Sequence, residues 1–124
     1  YSRLNHNLRH ITCVSLPQRA QAEFYVGSSI QFRPEALSKA DIPAFIKGCG
    51  ERGVELKWVG ADEPVAFTSR YDSWHYLNDD TALQATQRAL DKTIDMRVPL
   101  TFSEDDCDVI TTIIETVLAE QIAA

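Results

Sequence analysis

Seven side chains able to grip or stack on a ligand fall within one short stretch, between Val54 and Leu77: Lys57, Trp58, Arg70, Tyr71, Trp74, His75 and Tyr76. A guanidinium with an ammonium and a phenol nearby suits a carboxylate, a phosphate or a sugar nucleotide. Arg70 offers the two-pronged fork, and an aromatic face can stack on a ring. None of these groups performs covalent chemistry unaided, so a catalytic surface made from them would position substrate for a group carried elsewhere. The other reading is a solvated loop that Trp58 and Trp74 pin to the core. After Val59 the run turns polar and irregular, with Gly60, Asp62, Glu63 and Pro64, which marks a loop and not a strand interior.

Other reactive residues have simpler explanations. His6 and His10, at i and i+4, would share one helical face and supply half a zinc site, but no third ligand is evident, so no metal is expected. Glu104, Asp105, Asp106 and Asp108 resemble a hard-cation cluster, yet carboxylates in a first helical turn are accounted for by the helix dipole. Ser28, Ser29 and His75 lack any nucleophile-elbow context. Cys13, Cys49 and Cys107 are odd in number, far apart and never in a C-x-x-C pair; all three read as small core residues of a reducing, cytoplasmic compartment.

Composition sets the outer limits. The 124 residues, 44% hydrophobic, suit one globular domain with a single core. A net charge of −6 with twelve scattered Lys and Arg argues against nucleic acid and against an anionic membrane. No apolar run approaches the roughly 20 residues that span a bilayer, and the first 30 residues lack the order of a secretory signal. The helix-forming opening has no N-cap signal before it, so residues 1–15 read as the end of a connecting helix and linker, and the whole as a piece of something longer.

The elements that would hold the aromatic stretch follow from spacing. Residues 2–10 read as a helix. Glu23–Arg33 alternates around Phe24, Val26, Ile30 and Phe32 as a strand ended by Pro34. Ser38 with Asp41 resembles a capping box, and Ile42, Phe45, Ile46 and Cys49 share a helical face reaching about Arg52; Pro43 moves the working N-cap toward Asp41. Gly53 suits a left-handed closing residue, and Val54–Val59 alternates as a second strand. A helix from about Thr81 to Lys92 would bury Leu83, Ala85 or Thr86, Ala89 and Leu90. An extended piece from Ile94 to Leu100 precedes Ser103, which opens a last helix whose stripe of Cys107, Ile110, Ile114, Val117, Leu118 and Ile122 should lie on a sheet. The expected fold is α+β, a small and mainly antiparallel sheet packed by three to four helices.

From about Leu16 to Leu118 the chain resembles the C-terminal small domain of DegT/DnrJ-type sugar aminotransferases, which are fold type I pyridoxal-phosphate enzymes. Four matches in order carry the resemblance. They are the strand through Phe24 to Arg33, the helix from Leu37 to Leu56 with its Leu-Ser opening and Arg-Gly close, the aromatic loop, and the ending Val98, Pro99, Leu100, Ser103, Glu104, Asp105 and Asp106 before an amphipathic helix. The resemblance implies a larger N-terminal domain carrying the Schiff-base lysine, pyridoxal phosphate in the full-length enzyme, amino transfer from glutamate to a keto sugar or related carbonyl compound, and a homodimeric parent. Lys39, Lys47, Lys57 and Lys92 have no matching context, so this chain alone is expected to be inactive. By position the loop from Phe67 to His75 reaches toward substrate, which makes Arg70 and Tyr71 the first substrate-binding candidates, followed by Lys57, Trp58 and His75. The chain departs from the family in lacking its usual histidines, having Gly27 in the first strand and Lys57, Trp58, Val59 and Gly60 in the second, which leaves the acceptor open. A freestanding ligand-binding or regulatory module and an oligomerisation domain are the competing readings.

Overall fold

A computed structural model of the chain describes residues 1–18, 27–63 and 84–124. The order of elements is α1 (Ser2–His10), β1 (Val14–Ser15), β2 (Ser29–Pro34), α2 (Ile42–Glu51), β3 (Lys57–Trp58), α3 (Gln84–Leu90), β4 (Ile94–Arg97) and α4 (Glu104–Ala123). The strands form one sheet in the order β1-β2-β4-β3, every pairing antiparallel. The fold is α+β, with β4 inserted between β2 and β3. No described helix is long and apolar enough to cross a membrane.

Alternation along the strands sends Ile30 and Phe32 of β2 and Ile94 and Met96 of β4 to one face, where all are buried. They join Leu4, Leu8, Phe45, Ile114 and Val117 in a single core. Residues 1–15 are part of that core: α1 buries Leu4 and Leu8, and β1 pairs Val14 with Pro34. Pro34 is the last residue of its strand, and Glu23–Val26, the first part of the expected strand, lies outside the described residues.

The second strand is shorter than its alternating pattern suggests. Only Lys57 and Trp58 pair in the ladder, because the backbone just before them closes α2. The amide of Gly53 donates to the carbonyl of Gly50 and that of Val54 to Cys49, with Gly53 at φ +88°, the left-handed geometry that ends a helix with two crossed bonds. Val54 and Cys49 are both buried, which supplies the apolar contact of that motif. At the other end of α2, Asp41 occupies the N-cap position, but its carboxylate turns back to accept from the amide and hydroxyl of Ser38 at 3.0 and 2.6 Å.

The final helix has the capping box expected from Ser103. The Ser103 hydroxyl accepts from the Asp106 amide at 3.1 Å, and the Asp106 carboxylate accepts from the Ser103 amide at 2.8 Å. Its stripe differs from expectation at two places. Ile122 is 54% exposed, and Thr111 is buried, its hydroxyl satisfied by the carbonyl of Cys107 at 2.8 Å. The helix lies against α1 and α2 instead of spreading on the sheet alone. Arg3 and Asn7 of α1 both donate to Asp108, and Arg52 donates to Glu120.

Two further expectations are corrected. The helix expected over Thr81–Lys92 is described from Gln84, residues 81–83 with Leu83 lying outside the described residues, and the rest of its expected apolar face is not buried: Ala85 and Ala89 are exposed, and Thr86 and Leu90 only half-buried. Polar bonds fasten it instead, as Arg33 donates to the carbonyls of Arg88 and Ala89. Cys13 is exposed, not a core residue, and holds a left-handed φ of +68° in the turn between α1 and β1. Cys49 and Cys107 are buried as expected.

Candidate functional site

Register decides where the functional side chains of the sheet point. Trp58 stands opposite Ile94, and Lys57 opposite Asp95. Consecutive residues of a strand face opposite ways, so Lys57 and Trp58, neighbours in sequence, are separated by the sheet. Asp95 and Arg97 alternate with the buried Ile94 and Met96, which places Arg97 on the Lys57 face, opposite Ser29 of β2. Lys57 and Arg97 are therefore diagonal neighbours, about 7–8 Å apart in the ladder.

A cavity of about 370 Å³ opens beside them. Lys57, Arg97 and Glu55 supply its charges, and Met96, Phe102 and Ile110 its apolar lining. A second cavity, of about 290 Å³, shares Pro99 and Phe102 with the first and is bounded further by Val98, Leu100 and Cys107. Mixed charged and apolar walls in a volume of this order are typical of a small-molecule site. The lining holds no nucleophile poised for attack. Burial pushes the Cys107 thiol up, and the acids Asp106, Asp108 and Glu104 push the same way. The arrangement can hold and orient an anion.

Trp58 has a structural role. Its indole nitrogen donates to the carbonyl of Asp91 at 2.8 Å, and the Val59 amide donates to Thr93 at 3.0 Å, which ties β3 to the end of α3. Lys39 stands 5.8 Å from the centre of the Trp58 ring and also pairs with Asp62 at 3.3 Å and Asp91 at 3.9 Å. Gly60 completes this corner. A Cβ there would lie 2.7–2.8 Å from the main chain of Leu90 and Asp91, so only glycine allows the two segments to approach this closely.

Of the residues singled out in the sequence, Lys57 lines the larger cavity and Trp58 supports the opposite side of the strand. Arg70, Tyr71 and His75, with Trp74, lie outside the described residues. The other lysines fit no Schiff-base site: Lys39 is held as above, Lys47 pairs with Glu51 at 3.8 Å along α2, and Lys92 donates to the carbonyl of Glu35. The His6 and His10 rings lie with centres 4.5 Å apart and tilted by 49°, and the His10 Nδ1 bonds the His6 carbonyl, but no group of three potential metal ligands exists among the described residues.

Arg97, Glu55 and Phe102 were not among the sequence candidates. The signal for Arg97 lay in the alternation of Ile94 and Met96 with Asp95 and Arg97, which marks one wet and one dry face. Phe102 follows Pro99 in a turn closed by its own amide on the Pro99 carbonyl, and only the fold brings it to the cavity. No protein-family model matches the chain, and no curated protein or solved structure matches it significantly.

Proposed function

We propose that the chain is the small domain of a pyridoxal-phosphate-dependent aminotransferase and forms one wall of its substrate cleft. The observation that carries this reading is the cavity beside Lys57 and Arg97, whose cations and apolar lining suit the binding of an anionic substrate. As one wall of a cleft it would bind and orient substrate for a reactive group brought by a partner domain. The order of motifs, from the first strand to the capped last helix, points to the DegT/DnrJ type. The antiparallel α+β fold agrees with it.

In this reading pyridoxal phosphate is held by a larger domain outside these 124 residues, where it serves as the electron sink for amino transfer. The chain's own part is to bind and orient. Lys57 and Arg97, with Arg70, Tyr71 and His75 by sequence position, face the anionic portion of a keto sugar or related carbonyl compound, and Trp58 braces the strand that presents them. The parent works as a homodimer in the cytoplasm, to which the three free thiols are suited.

The test is turnover by the full-length parent. With glutamate and a keto-sugar acceptor it should release 2-oxoglutarate, and Arg70→Ala should lower kcat/KM by an amount equivalent to roughly 1.5–3 kcal/mol, the worth of a charge-assisted hydrogen bond. Absence of 2-oxoglutarate with every carbonyl acceptor supplied would contradict the reading. A freestanding ligand-binding or regulatory module draws on the same cavity and would need no second domain. Unaltered assembly with altered ligand binding in the Arg70 variant would set an oligomerisation role aside.

A further inference from the structure

We propose that His6 and His10 form an open chelate on the exposed face of α1 for a divalent transition ion that takes neighbouring ligands at right angles, such as nickel(II) or copper(II), with water in the remaining positions. A closed site needs three or four protein ligands, and the described residues offer no such group. Two imidazoles one helical turn apart make a weaker, open site, and they need no third side chain. The pair takes no part in the cavity beside Lys57, and its metal binding does not depend on the aminotransferase reading.

Geometry selects the ion. A metal about 2.0–2.1 Å from one nitrogen of each ring would lie about 3.2 Å from each ring centre, so the centres would be about 4.5 Å apart for ligands at a right angle and about 5.2 Å apart at the tetrahedral angle. The observed separation is 4.5 Å. Tautomer agrees with this use of the rings. The His10 Nδ1 donates to the His6 carbonyl at 2.7 Å, and since a carbonyl only accepts, the lone pair of the neutral ring stays on Nε2, where a metal can take it. Among the described residues neither ring has an ion-pair partner, and both are exposed. The arginines of the same helix are occupied elsewhere, Arg3 on Asp108 and Arg9 on Asn5 and the Pro17 carbonyl. Leu4 and Leu8, fully buried on the opposite side, hold α1 to the core, so the second nitrogen binds a metal already held by the first and the pair exceeds a single imidazole. Packing and capping use neither histidine, whereas an open chelate uses both.

The test is a calorimetric titration of the chain with nickel(II) chloride, in a Cys13→Ser background that removes the exposed thiol as a competing ligand. Nickel should bind more tightly than it binds free imidazole in the same buffer. His6→Gln and His10→Gln should each lower the affinity about tenfold to a hundredfold, because either change leaves a single imidazole. His75→Gln, which removes the third histidine of the chain, should leave it unchanged. Zinc(II), which favours the wider tetrahedral angle, should bind more weakly than nickel. His6 and His10 are exposed, so without metal both variants should unfold at the same denaturant midpoint as the parent chain, and only the parent's midpoint should rise when nickel is added. Affinity no higher than that of imidazole, unchanged affinity in His6→Gln or His10→Gln, an equal loss in His75→Gln, or tighter binding of zinc would overturn the proposal. The titration involves no pyridoxal phosphate and no turnover. Its failure would leave the aminotransferase reading standing, and failure of 2-oxoglutarate release would leave this site intact.

Discussion

Ile94 and Met96 on one side of β4, and Asp95 and Arg97 on the other, come from four consecutive residues and meet opposite fates. The first pair is buried among Ile30, Phe32, Phe45, Ile114 and Val117, where each side chain is explained by what it packs against. The second pair faces a polar surface with Lys57, Ser29 and Gln31. Removal of apolar area from water accounts for the first face. It gives no reason for Arg97 at the mouth of a cavity, and a side chain unexplained by stability is where binding is to be sought. Arg33 lies on the same polar face but is used structurally, held by Glu35 at 3.0 Å and by the carbonyls ending α3. The contrast between Arg33 and Arg97 separates a fastening cation from an available one.

The comparison breaks first if the dry face is less important than its burial implies. Phe32→Ala, at a fully buried position, should cost about 3–5 kcal/mol in denaturant unfolding. That is a large share of the roughly 5–15 kcal/mol typical of a domain. A loss well below that range would mean that the core collapses around the gap. Gly60→Ala should cost about 1–3 kcal/mol, since the added carbon meets main chain and not a movable side chain tip. A neutral result would show that the Trp58 corner can open. A smaller effect is expected at acid pH. Hydrogen bonds from Arg3 and Asn7 hold Asp108 down at about 2, against an ordinary 3.8. Because the folded value is the lower one, the stabilisation is complete above the ordinary value and disappears as pH falls through about 2. Arg3→Ala should therefore lower stability at neutral pH by the small amount usual for an exposed ion pair and leave it unchanged near pH 2, so that the acid limb between those values flattens. The smallest effect sharpens the contrast: Arg97→Ala should change stability by no more than about 0.5 kcal/mol. A larger loss would make Arg97 another fastening residue like Arg33.

Much of this architecture could be read from the sequence because single residues dictate it. Ser103 with Asp106 specifies a helix start, Gly53 a helix end, and the alternation through Ile30 and Phe32 a half-buried strand. The misreadings arise where tertiary contacts override a local pattern. Val54–Val59 alternates like a strand, but its first amide is consumed in closing α2. Residues 81–92 have helical spacing, yet from Gln84 onward Ala85 and Ala89 stay exposed while carbonyls at the helix end are captured by Arg33 from the sheet. Cys13 has the composition of a core residue and the backbone of a turn. The site was half legible. Lys57 was identified by the company it keeps in sequence, whereas Arg97, Glu55 and Phe102 reach the cavity through strand pairing and a turn, which spacing along the chain does not record.

The central claim is that this chain supplies binding while another domain supplies the reactive group. The most direct measurement is borohydride reduction of the full-length parent loaded with pyridoxal phosphate, followed by mass spectrometry of its digest. The account predicts a cofactor label on a lysine outside these 124 residues. A label on Lys39, Lys47, Lys57 or Lys92, or no label on a folded and cofactor-supplied parent, would contradict it.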